Sequence, residues 1–203
     1  MRAIPAHRKT FKSERMIAFS DAVMAVAITL LVLDLKMPEG ISDAQLGPAL
    51  QDSLHSVGVY ALSFIVVGLF WMGHNEQYTH IRRVDVPLMW INMLYLLTIG
   101  LIPFVTSLLS DHGTALSTCL YAGVLVATSI LSALMWWYAG RDPQLMPADV
   151  PEQVRREGLL STLLVGGVFA LSIVIALVWS PMAAQWSWLL LIPAGRVPAW
   201  FEK

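Results

Sequence analysis

Residues 53–75, 86–110, 112–140 and 158–195 contain no Asp, Glu, Lys or Arg, and a further uncharged run, 22–33, lies between Asp21 and Asp34. Such runs suit the interior of a bilayer, where about 20 apolar residues cross as a helix and the helix satisfies its own backbone N–H and C=O groups. Composition agrees: 57% of the residues are hydrophobic and only 13% charged, whereas soluble domains sit near a quarter charged. The chain therefore reads as an all-α polytopic membrane protein, with residues 1–203 forming one transmembrane domain.

Six spans are predicted, at about 15–36, 53–80, 86–110, 112–139, 158–179 and 183–195. The first would rise roughly 33 Å. It ends at Leu35-Lys36-Met37-Pro38 with no small-residue cleavage site and is read as retained rather than as a removed leader. Pro87 suits the first turn of the third helix, and Pro103 should kink it. Met135-Trp136-Trp137-Tyr138 looks like an interface belt. Residues 141–157 form the longest polar loop, and Ser180-Pro181 separates the last two spans. The sixth span is short and could be tilted or partial.

Lys and Arg fall on alternate sides of this scheme. Twelve of the 13 lie in the N-terminal segment, the second and fourth loops and the C-terminal tail, leaving only Lys36 on the other side. That asymmetry predicts both termini inside and an even number of spans. The formal net charge of −1 comes without a basic, aromatic-interleaved stripe, so nucleic acid is not an expected partner. No nucleophile elbow, zinc-protease motif, phosphate-binding glycine loop or cysteine pair is present; the reading is not an enzyme, with no cofactor and no bound metal. Cys119 reads as a packing residue.

The polar residues inside the spans carry the functional question. Asp21 follows Arg15 by about a turn and a half, and is either solvated at the interface or turned toward a bundle interior. His74 lies in Trp71-Met72-Gly73-His74-Asn75-Glu76, and Asn92 lies near the start of the third span. Both read as interface residues or as hydrogen-bond partners of a neighbouring helix. At 100° per residue, Phe19, Ala22, Val26, Thr29, Leu30 and Leu33 share one side of the first helix, and Ser20 and Asp21 point roughly 120–140° away from Val26. Periodicity alone leaves open whether that apolar stripe packs against helices or lines a pore.

Arg15-x-x-x-Phe19-Ser20-Asp21 and the apolar run that follows resemble the first-helix signature of the transmembrane protein 175 family in its prokaryotic form. Trp71, His74, Asn92 and Pro103 extend the likeness over the first half of the chain. The resemblance implies a cation channel with modest potassium preference, assembled as a homotetramer in a prokaryotic inner membrane, with four first helices around the pore and only transient K⁺ as an ion. It further implies that Val26, Leu30 and Leu33 form the constriction, Thr29 a polar ring beside them, and Arg15, Phe19, Ser20 and Asp21 the signature. Trp71, His74 and Asn92 become the hydrogen-bonding supports of Ser20 and Asp21. Val26 stands where the family commonly has a larger Ile or Leu, and Arg15 faces the pore side at its aqueous end. Asp34 is either an interface residue or part of the outer mouth. A proton-linked secondary transporter using Asp21 and His74, and a non-conducting scaffold, are the alternative classes.

Overall fold

The computed structural model describes residues 9–35, 40 and 42–188. Helix α1 spans Glu14–Leu30 and continues as a 3-10 turn over Leu31–Asp34. Then come α2 (Asp43–His80), α3 (Val86–His112), α4 (Ala115–Ala139), α5 (Glu152–Val178) and the short α6 (Pro181–Ser187). Five of these are long and apolar enough to cross a membrane, the candidate span in α2 being Ser53–His80. The sixth expected span, 183–195, starts within α6 and otherwise lies largely outside the described residues.

Local chemistry sets the helix ends. Before α2, the Ser42 backbone N–H donates to Gln45 Oε1 at 3.0 Å, half of a capping box. Before α3, Asp85 Oδ1 accepts from the Leu88 N–H at 3.0 Å, with Pro87 in the first turn where no N–H is needed. Gly113 closes α3 at φ 56°, a left-handed conformation that costs glycine little. Thr114 caps α4 and Ser180 caps α6. Helix α3 runs on through Pro103 to His112 as a single helix.

Two expectations change. The polar loop after α4 is shorter than its composition suggested, because helix resumes at Glu152. Pro151 holds φ at −59° before the first turn, and Glu152 stands there against the helix's positive end. The aromatic run ending α4 is not a uniform belt: Met135 and Trp136 are buried, whereas Trp137 is exposed. Successive helical residues point 100° apart, so four in a row cannot share one surface.

Helix α4 is the centre of the bundle, packed between α3 and α5. Its approach to α5 is close enough to require glycine at two points. A Cβ on Gly158 would lie 2.8 Å from the Trp136 ring, and one on Gly166 would lie 2.9 Å from Ser129 Cβ. Some buried polar groups find partners on neighbouring helices, the pairing that hydrocarbon favours. Ser63 on α2 shares hydrogen bonds with Tyr121 on α4 at 3.1 Å and with Thr106 on α3 at 2.9 Å, while Gln77 donates to the Ser132 hydroxyl at 2.9 Å.

One end of the bundle is tied together by its loops. Strand β1 (Phe11–Lys12) pairs antiparallel with β2 (Arg83–Val84), with Phe11 opposite Val84 and Lys12 opposite Arg83. The Arg82 backbone N–H donates to the Leu145 carbonyl at 3.0 Å, bringing in the α4–α5 loop. All eight Lys and Arg of the described residues (Lys9, Lys12, Arg15, Arg82, Arg83, Arg141, Arg155 and Arg156) belong to this end, and Asp34 and Asp111 to the opposite one.

Candidate functional site: the two-faced first helix

Helix α1 presents two stripes of different character. Met16, Ser20, Met24, Ala27 and Leu31, spaced by three or four residues, are buried against the rest of the chain. On the other side Val26, Leu30 and Leu33 are 56%, 43% and 65% exposed, with Phe19 and Thr29 also exposed. The 3-10 turn bears on their alignment. Residues three apart eclipse in that conformation, so Leu33 stands nearly over Leu30.

The buried stripe is held by a polar network contributed by three helices. Asn92 Nδ2 on α3 donates to Ser20 Oγ at 3.0 Å. Asn92 Oδ1 lies 3.0 Å from His74 Nε2 on α2, and since a carbonyl oxygen can only accept, His74 Nε2–H is the donor. His74 and Asn92 are each 1% exposed, so losing either partner would strand a polar group out of water's reach. Tyr95 stacks on the His74 ring at 5.5 Å between centroids, and its hydroxyl donates to the Phe70 carbonyl at 3.1 Å. That contact fixes the imidazole plane.

Asp21 stands beside this network but outside it. Its Oδ1 accepts from the Trp71 indole N–H at 2.9 Å in a solvent-accessible setting. No hydrogen bond joins Asp21 to His74 among the described residues. Thus Ser20 and Asp21, adjacent in sequence, attach α1 to α3 and to α2 respectively.

The Thr29 hydroxyl donates to the Val26 carbonyl at 2.8 Å. With its hydrogen so used, it offers oxygen lone pairs outward, the polarity a cation requires. Arg15 is exposed in the first turn and has no carboxylate partner among the described residues, while Asp34 is half-buried where the 3-10 turn ends. Beside the exposed stripe lies an apolar cavity of about 300 Å³ lined by Ala22, Val23, Val26, Ala27, Leu30 and Gly100.

Buried Asp85 was not singled out from the sequence. Besides capping α3, it accepts from the Tyr138 hydroxyl at 2.9 Å through Oδ2, joining α3 to α4 at the basic end. The Asp-Val-Pro start of α3 was the available signal.

Residues 15–103, which contain all but the first residue of α1, all of α2 and most of α3, match the family described as endosomal/lysosomal potassium channel TMEM175. The chain is 31% identical to a potassium channel of Streptomyces collinus over 84% of its own length and 85% of the relative's. It is 30% identical to a potassium channel of Chamaesiphon minutus over 65% and 68% of the two chains. The human endosomal/lysosomal proton channel TMEM175 is 25% identical, the match covering 71% of this chain and 29% of that one. In fold, the structure resembles the crystal structure of the lysosomal potassium-selective channel TMEM175 homolog from Chamaesiphon minutus, with a TM-score of 0.75 over 90% of this chain and 95% of that one, at 24% identity. With the signature residues of α1 inside the matched region and both bacterial relatives covered over two thirds or more of their length, this chain is a member of the TMEM175 family.

Proposed function

We propose that the chain is an ion channel rather than an enzyme, conducting cations with a modest preference for K⁺ through a pore lined by α1 of four copies. The observation that carries this reading is the division of α1 into a buried stripe tied to α2 and α3 and an exposed stripe of Val26, Leu30 and Leu33. A helix anchored on one side and apolar on the other can stand beside an axis and present rings of side chains to it. In that arrangement Val26, Leu30 and Leu33 form the neck, the Thr29 hydroxyls sit beside it, and Asp34 stands near one mouth. Ser20, Asp21, Trp71, His74 and Asn92 act as a brace that sets the helix's rotation. Passage is passive: an apolar neck conducts when wetted and blocks when dry.

The basic end of the bundle faces the cytoplasm in this proposal, with both termini on the cytoplasmic side of a prokaryotic inner membrane, since that face carries all eight described cations. The names of the bacterial relatives support K⁺ as the ion, and the proton channels among the animal relatives make H⁺ the necessary control.

The test is flux from liposomes containing only this chain, with K⁺, Na⁺ and H⁺ gradients imposed in turn. K⁺ efflux without solute or proton coupling is the expected result. Saturable uptake driven by a pH gradient would replace the channel with a transporter. Currents unchanged in Val26 and Leu30 variants would remove α1 from the pore.

A further inference from the structure

Where α4 ends, the Arg141 guanidinium lies over the Trp137 ring, its carbon 3.6 Å from the ring centroid. Stacking occupies the faces of both groups. The in-plane N–H donors of the guanidinium meet no acceptor among the described residues and form the fork that matches a phosphate. Both side chains are exposed.

The nearby carboxylates are committed elsewhere. Asp142 accepts from the Gln144 N–H at 2.9 Å, Asp149 faces Arg82 at 3.6 Å, and Glu157 accepts from Gln153 at 2.8 Å. Glu152 stands in the first turn of α5, against its positive end. Arg155 does not share the role of Arg141. Its guanidinium donates to the Gly140 and Pro147 carbonyls at 2.7 and 3.0 Å and so fixes the loop on which Arg141 sits. Arg141 has no carboxylate partner among the described residues.

The helix below continues the pattern. Ile130, Leu134 and Trp137 are all exposed, and their spacing of four and three residues places them on one face, with Arg141 a turn beyond. Read along α4, the stripe is aliphatic, then aromatic, then cationic.

We propose that Arg141 and Trp137 bind the phosphate of an anionic phospholipid, whose acyl chain lies along Leu134 and Ile130. The order of chemistry along the stripe follows that of a lipid: hydrocarbon in the bilayer, amphipathic ring at the interface, fork of donors at the phosphate. Seven carboxylates (Glu14, Glu76, Asp85, Asp142, Asp149, Glu152 and Glu157) share this end with the eight described cations, so the attraction for an anionic headgroup is local to Arg141 rather than a property of the whole face. A soluble anion would leave the apolar half of the stripe unused.

The test uses the purified full chain, stripped of lipid and then offered phosphatidylglycerol, phosphatidylcholine or inorganic phosphate, with bound lipid counted by native mass spectrometry. Phosphatidylglycerol should be retained and phosphatidylcholine lost, and millimolar phosphate should not displace the lipid. Arg141→Gln should weaken retention about fivefold, the factor contributed by one basic side chain at an anionic surface. Arg141→Lys, which keeps the charge but loses the fork, should fall between the two. Trp137→Leu should also weaken retention, and Arg156→Gln should leave it unchanged. Equal retention by Arg141→Gln and the parent chain, or of the two lipids, would overturn the site. Displacement by phosphate would assign it to a soluble anion. Variants that change the size of the assembly rather than its lipid count would make the stripe a protein contact.

Discussion

The Trp71 indole N–H donates to the Asp21 carboxylate across 2.9 Å, joining the second helix to the first beside the buried Ser20–Asn92–His74 chain. Asp21 thereby acts as a strut of α1. Trp71→Phe keeps the ring and removes only the donor. In the purified protein it should lower stability by about 1 kcal/mol, which for a chain of this size is a fall of roughly 2–4 °C in melting temperature. Ion preference should stay as it was. A changed preference with unchanged melting would instead make the carboxylate an ion ligand.

The Asn92 amide serves two partners, so its removal should cost more than removal of either partner. Asn92→Leu strands both the His74 N–H and the Ser20 hydroxyl, each at about 1–3 kcal/mol. Ser20→Ala strands one amide donor. A double-mutant cycle between these two positions, read by thermal melting, should show clear non-additivity. Strict additivity would mean that the two side chains act independently.

Polarity at the proposed neck should matter more than volume alone. Val26→Asn or Leu30→Asn would hydrate an apolar ring and should increase K⁺ flux from liposomes while reducing discrimination against Na⁺. Val26→Phe should reduce flux for both ions. Leu171 and Leu177 are exposed on α5, far along the chain from the proposed pore, and Asn at either should leave flux unchanged.

The α4–α5 contact offers a test independent of conduction. Gly166→Ala places a methyl 2.9 Å from Ser129 Cβ and should destabilise the fold by about 1–3 kcal/mol, measured as a lowered melting temperature. Ser129→Gly in the same chain should restore much of that loss. Failure of the rescue would show that the two helices approach each other differently.

The helical architecture was legible because bilayer-length runs without charge have few other uses, and because breaks such as Ser180-Pro181 carry their own turn chemistry. The faces of α1 were legible as angles. Which face is buried was not, since Val23, Ile28 and Val32 make the helix apolar nearly all round. The brace could be anticipated only through likeness to other chains. Ser20, His74 and Asn92 are separated by up to 72 residues, and spacing carries no information about contacts of that range. The start of α5 was missed because Arg155, Arg156 and Glu157 look like loop residues until Arg155 is seen bonded back to Gly140 and Pro147. The two-residue strands β1 and β2 were too short to leave any pattern.

The change of winding at Leu31–Asp34 behaves like a change of thread on a screw. A 3-10 segment turns about 120° per residue and an α-helix about 100°, so three residues wound the other way swing the last one by roughly 60°. Rewinding this one turn would carry Leu33 out of line with Leu30 and shorten the segment slightly. The brace at Ser20 and Asp21, three turns back, would feel none of it.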